Sequence, residues 1–386
     1  FEAAEPNMNS KTSSVKLTLV TLIISIAVSI FAAESVLSWY SQSINHSSKM
    51  DPGLLRYHPK IGWALTPSWQ GNHRHHDFDV DYQINSLGLR GQLPTALHNK
   101  TKPRTVIFGD SFTFGLGANE SETYVAQLQN IRPEQQWFNA AIPGTSTDQQ
   151  WLYWQMINDQ LRADHVIFAV YLGNDLLDNP LPYPLQAEQA KPFFKFHHQQ
   201  LQLHNTPVPR QAKPESARQL SIASIVFGDA LAQQGWLNRI SANSAILQRL
   251  MPRQSPLPKA QLNAIMDQRL VKQKKLQRAL ILKAANTAKI NQQRFSLVLL
   301  PGQSLITQPQ SASAIFQNYV RRFMLSIAEK NALAVIDLGP IMQQQYQQQK
   351  QPLFHPNEGH FTAAGHKVVA EKLADAFRHR QKKEQL

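Results

Sequence analysis

The stretch "VIFGDSFTFGLG", Val106–Gly117, sets the reading of the whole chain. An unbroken apolar run stops at Gly109, and Asp110 and Ser111 stand at the break. Short continuous apolar runs suit strands buried on both faces, the pattern of a parallel sheet. Counting Thr105 as its start, this run predicts a strand over 105–109. Four more runs have the same character: "WFNAAI" (137–142), "HVIFAVYLG" (165–173), "FSLVLLPG" (295–302) and "LAVIDLG" (333–339). Helical patterns fall between and after them, at roughly 121–130, 148–162, 260–292, 312–330 and 363–379. Strands alternating with helices predict an α/β fold, with a parallel sheet covered on both faces.

Residues 180–260 interrupt this rhythm. "NPLPYPLQAEQAKP" is a proline-rich exit, "FFKFHHQQLQLHNTPVP" alternates like a hairpin, and 221–251 read as one or two amphipathic helices. The segment is expected to be an inserted cap within a domain spanning 101–386. "QQQYQQQKQ" (343–351) is a glutamine-rich solvated stretch with no assigned chemistry. Residues 41–100 are polar and are expected to form an irregular extension. Its "HRHH" holds His73, His75 and His76; with no cysteine or well-spaced carboxylate set to complete a metal site, a solvated loop is the expectation.

Upstream, Leu17–Ala33 carry no charge, and the apolar character runs on to Leu37. At about 1.5 Å per helical residue this reaches across a hydrocarbon core. Trp39 and Tyr40 suit the interface, while Lys11 and Lys16 precede the span. The expectation is a cytoplasmic 1–16, a single-pass signal anchor at 17–40 in a bacterial inner membrane, and the rest facing the periplasm. A cleaved signal peptide is the competing reading, and Met8 is taken as the biological start.

Composition narrows the chemistry. The chain has 386 residues, 42% of them hydrophobic, enough for a substantial core. It has no cysteine, which excludes disulfides, thiolate catalysis and cysteine-ligated zinc. A formal net charge of +13 favours anionic partners. No basic-aromatic motif of a nucleic-acid module accompanies it, so nucleic acid is not an expected partner. No cofactor and no metal are expected.

Ligands of open parallel α/β sheets bind beyond the carboxyl ends of the strands. Four such places carry chemistry-bearing residues: Gly109-Asp110-Ser111, Gly144 in "PGTSTD", Gly173-Asn174-Asp175, and Glu358 and His360 in "FHPNEGHFTAAGH". A serine nucleophile needs a base, the base needs an orienting carboxylate, and the oxyanion needs preorganised donors. Ser111, His360 and Glu358 supply the first three. The backbone N–H groups of Ser111 and Gly144, with the Asn174 amide, supply the last. His355 and His366 rank below His360 as base.

"GDSF" at 109–112, the lone Gly144 after "NAAIP", "GND" at 173–175 and the late His360 resemble, in order, the four blocks of the SGNH (GDSL-type) hydrolases. "GDSFTFGLG", "YLGNDLLDN" and "GHFTAAGH" look like membrane-anchored bacterial members. The resemblance covers roughly 100–180 and 295–380. It implies a three-layer α/β/α sandwich on a five-stranded parallel sheet, and acyl transfer through an acyl-serine. The chain departs from the family at one point: Glu358 stands two residues before His360, where an aspartate is usual. Glutamate is one methylene longer and needs a shifted backbone; Asp337 is the alternative orienter. An esterase or O-acyltransferase is expected, acting on an ester or acylated carbohydrate. Resemblance to alginate and peptidoglycan O-acetyltransferases, together with the basic charge, points to an acidic envelope polysaccharide and its machinery. The alternative is an inactive scaffold subunit that keeps the fold.

Overall fold

The computed structural model describes residues 8–45, 48–93, 99–228, 255, 257–349 and 351–384. The helix Met8–Asn45 belongs to one compact unit, and the described residues from Ser48 onward form a second. Within the helix, Lys16–Tyr40 is long and apolar enough to cross a membrane, a property that a signal sequence shares. The hydroxyls of Thr21, Ser29 and Ser35 each donate to the carbonyl four residues earlier, so these polar groups are satisfied inside the segment.

The second unit is built on the expected sheet. Its strands are β6 (Arg104–Phe108), β7 (Gln136–Asn139), β8 (His165–Tyr171), β11 (Arg294–Leu300) and β12 (Ala334–Asp337). They lie in the order β12-β11-β8-β6-β7, and every pairing is parallel. Ile107, Phe168, Val298 and Leu299 are buried between the covering helices, which is why these strands read as unbroken apolar runs. The chain passes from β6 out to β7, then returns to β8 on the other side of β6. The order reverses there, so the loops after β6 and β8 flank the crevice where such sheets bind ligands.

The helix expected over 260–292 is two helices, Lys259–Arg269 and Val271–Ile290. Leu270 between them is buried, with φ −97° and ψ 16°. Apolar spacing continues through the break, so periodicity does not register it. The glutamine-rich stretch is the end of the helix Gly339–Gln349.

The extension expected to be irregular at 41–100 instead carries five short strands: β1 (Lys49–Met50), β2 (Leu55–His58), β3 (Gly62–Leu65), β4 (Gln70–His75) and β5 (Phe78–Gln83). β4 and β5 form an antiparallel hairpin with His76 and Asp77 at its tip. Val80, Tyr82 and Ile84 turn inward in alternation with exposed Asp79 and Asp81, a period-two signal masked by the polar composition. His73 is accordingly not in a solvated loop. It is buried, with Nδ1 2.9 Å from the Tyr82 hydroxyl and Nε2 3.0 Å from Ser48 Oγ.

The expected hairpin at 193–209 is present as β9 (Phe193–His197) and β10 (Gln200–His204). Residues 229–254, most of the amphipathic part of the expected insertion, lie outside the described residues. The part that is described is not loosely attached: Lys191, completely buried, pairs with buried Asp148 at the start of the helix Thr147–Leu161.

Candidate active site

Asp110 caps the one-turn helix Ser111–Phe114, its carboxylate accepting from Phe112 N at 3.0 Å. Gly109 is required by contact: a Cβ there would lie 2.3 Å from Thr113 Oγ1. The helix ends at Gly115 in the left-handed conformation, φ +85°, which favours glycine. This turn lifts Ser111 to the end of β6, 9% exposed, with its own N–H ahead of the helical hydrogen-bond ladder.

His360 reaches the same point from the far end of the chain. Its Nε2 lies 2.6 Å from Ser111 Oγ, and its Nδ1 lies 2.6 Å from Glu358 Oε1. The His360 backbone N–H donates to Glu358 Oε2 at 3.0 Å, so one carboxylate grips the residue twice. Burial would raise the Glu358 pKa. The hydrogen bonds from His360 and its charge outweigh burial and hold the carboxylate below its ordinary range. An ionised carboxylate only accepts, so Nδ1 donates to it, and in the neutral imidazole this leaves the Nε2 lone pair facing the serine. Phe112 packs over the imidazole at 4.4 Å between ring centroids, and stacks at 4.1 Å on Tyr171.

The other strand ends converge on this corner. The Gly109 carbonyl accepts from Ile142 N at 3.1 Å and Thr145 Oγ1 at 3.2 Å, which pins the Gly144 loop beside Ser111's loop. Gly144 has φ +76°. Asn174, after β8, is buried; one amide N–H donates to Asp178 Oδ2 at 2.6 Å, leaving the second. Burial raises Asp178 to about 6 and Asp110 to about 6. Below the Gly144 loop, Lys191 Nζ donates to Asp148, and Asp148 N donates to Asn179 Oδ1 at 3.1 Å. Asn179 bonds Gln277, which donates to Thr147 Oγ1 at 3.1 Å. One buried network therefore ties the inserted segment to the loops of Gly144 and Asn174.

The remaining candidates are engaged elsewhere. Asp337 is gripped by Arg321 at 2.5–2.9 Å and accepts from Gly339 N at 3.2 Å. His355 Nε2 donates to Gly117 O at 3.1 Å, and buried His366 accepts from Tyr124 N at 3.3 Å.

Three groups that the sequence reading did not single out are Lys191, Asp178 and Asp77. Asp77, at the β4–β5 tip, accepts from Asn357 N at 2.8 Å, Asn357 Nδ2 at 2.6 Å and Glu358 N at 3.0 Å. Burial would raise its pKa, but these donors hold it below the usual carboxylate range.

A family model for GDSL-like lipases and acylhydrolases matches residues 107–368, and the chain belongs to that family. Similar solved structures include LAE5, an α/β hydrolase from the metagenome of Lake Arreo in Spain, at 14% identity and TM-score 0.38, covering 72% of this chain and 97% of that one. A catalytic mutant of Axe2, an acetylxylan esterase from Geobacillus stearothermophilus, is similar at 12% identity and TM-score 0.37, covering 72% and 96%. The psychrotrophic esterase EstA from Pseudoalteromonas sp. is similar at 11% identity and TM-score 0.35, covering 73% and 100%. No curated protein matches the sequence.

Proposed function

We propose that the chain is a membrane-anchored serine esterase or O-acyltransferase that works through an acyl-serine at Ser111. The observation that carries this reading is the unbroken hydrogen-bond chain Ser111–His360–Glu358, with both contacts at 2.6 Å. Ser111 Oγ attacks the ester carbonyl while His360 Nε2 takes its proton, and Glu358 stabilises the imidazolium that forms. The Ser111 and Gly144 N–H groups and the free N–H of Asn174 hold the oxyanion. Collapse expels the alcohol, which takes the proton back from His360. Water, or a sugar hydroxyl, then attacks the acyl-serine by the same steps reversed. Lys11 and Lys16 ahead of the apolar helix favour a periplasmic catalytic unit, and the +13 charge favours an acidic, acylated envelope polysaccharide as substrate. The scaffold alternative drew its support from glutamate standing where aspartate is usual; a Glu358 carboxylate that meets the backbone N–H and Nδ1 of His360 despite its longer side chain favours the enzyme reading.

A fluorophosphonate probe should form one adduct, on Ser111, and p-nitrophenyl acetate should be turned over. Ser111→Ala should abolish the adduct and lower kcat on the order of 10⁵–10⁶, the scale of losing a member that acts as a unit with its partners. Wild-type protein inert to both reagents would sink the reading, as would full turnover by the variant.

A further inference from the structure

We propose that Asp77 is a positioning residue for the proposed catalytic carboxylate: from the tip of the β4–β5 hairpin it sets the backbone of Glu358 where the longer side chain can meet His360. The proposal rests on the reading of Ser111, His360 and Glu358 given above. The loop 355–360 closes on itself, with His355 N donating to His360 O at 2.8 Å and Gly359 N to His355 O at 2.9 Å. The N–H groups of Asn357 and Glu358 take their acceptor from outside the loop, and that acceptor is Asp77. Its side chain, 3% exposed, receives both of them and the Asn357 amide. Left without it, the exposed Asn357 N–H would turn to water and the part-buried Glu358 N–H would lose the acceptor that fixes its backbone. Phe78, next in the hairpin, packs on His355 at 5.0 Å between centroids, so the tip is seated against the loop.

The geometric need is specific to glutamate. Glu358 folds back so that Oε1 meets His360 Nδ1 and Oε2 meets His360 N, across two residues of chain. Both contacts at once hold only while the Glu358 backbone stays in register with His360, and a displacement of about 1 Å at a reacting geometry can cost roughly 10²-fold in rate.

Asp77→Asn keeps the shape but turns one acceptor into a donor facing a donor. It should lower kcat on p-nitrophenyl acetate by roughly 10²-fold with little change in KM, because it acts through the imidazole and not on substrate. Asp79→Asn, on the same hairpin but outside this contact, should leave kcat unchanged. In a Glu358→Gln background, Asp77→Asn should cost less than about threefold more, since groups in one chain of contacts do not add. Asn357→Ala cuts the same clamp from the loop side without touching the hairpin and should shift kcat in the same direction by less. The low-field Nδ1 proton of His360 gives a readout that needs no substrate. Present in wild type and lost in Glu358→Gln, it should shift or broaden in Asp77→Asn.

An unchanged kcat, a loss confined to KM, full multiplicative loss with Glu358→Gln, or an unmoved proton resonance in folded Asp77→Asn would each overturn the proposal. Failure of wild type to hydrolyse esters or to form the Ser111 adduct would overturn the reading of the site instead, and the resonance would still decide the role of Asp77.

Discussion

Ser111, Gly144 and Asn174 stand at, or in the loops just past, the carboxyl ends of sheet strands, whereas Glu358 and His360 stand on a loop braced by a hairpin about 280 residues earlier in the chain. The first half inherits its geometry from the sheet. Hydrogen bonds from Ile142 N and Thr145 to the Gly109 carbonyl transmit the spacing of β6 and β7 into the loops above them. The second half lies past the last strand and the helix Gly339–Gln349, where no strand register dictates its position. What braces it is a carboxylate from another part of the fold, beside its own Phe354–Phe361 bridge and the His355 contact to Gly117 O. One site is thus built by two kinds of support, and they should fail differently.

Short of removing the Ser111 nucleophile itself, the largest effect should come from the loop half. Glu358→Gln leaves the imidazole without an ionised partner for Nδ1, and kcat on p-nitrophenyl acetate should fall by roughly 10⁴, the scale of an amide replacing a triad carboxylate. Asp337→Asn should leave kcat unchanged, because that carboxylate is spent on Arg321. If the Asp337 variant lost activity and the Glu358 variant kept it, the orienting group would belong to a strand end, and the contrast between the two halves would collapse.

The strand-end half was open to reading because its supports are local. An apolar run, a glycine break and a polar residue follow one another within a few positions, and that pattern repeats at Gly109, Gly144 and Gly173. His360 and Glu358 were within reach because their contact spans two residues. Asp77 was not. It sits in "HRHHDFDVDYQI", whose polar composition hid the alternation of Phe78, Val80, Tyr82 and Ile84. Even with the hairpin found, nothing in a single chain couples position 77 to 358. Lys191 was hidden for a similar reason. A lysine in a proline-rich exit reads as a solvated charge, and only the fold brings Asp148 to it.

That ion pair tests whether the inserted segment is a removable lid or part of the strand-end support. Both side chains are fully buried, and burial holds the Asp148 pKa up against the opposing pull of Lys191. Lys191→Met should destabilise the protein by about 3–5 kcal/mol, since it leaves Asp148 buried without its cation. Adding Asp148→Asn should recover much of that loss, as measured by urea unfolding. A cost near zero for Lys191→Met would separate the insertion from the Gly144 and Asn174 loops, and would favour a cap that can be removed with the sheet left folded.

The smallest effect is expected where the two halves meet. His366 follows the His360 loop, yet its ring lies 3.5 Å from where a Cβ on Gly115 would sit, at the end of the Ser111 helix. Burial first, then the charges of Arg90, His360 and His355, lower its pKa to about 3. Its Nδ1 accepts from Tyr124 N, so the ring is held neutral with its proton on Nε2. A histidine depressed in the folded state takes a proton on unfolding before it can do so folded. Its contribution is therefore complete above the unfolded pKa of about 6.5 and is lost as pH falls toward 3. Between pH 7 and pH 5 the loss should be about 2 kcal/mol relative to His366→Gln, which has nothing to titrate there. Asp110 and Asp178, raised to about 6, act with the opposite sign, but they are present in both proteins and cancel in the difference. Urea unfolding of the pair at the two pH values reads it directly. Parallel stability curves would mean that the folded protein accepts the proton at His366, and that the ground between the two halves is wet rather than packed.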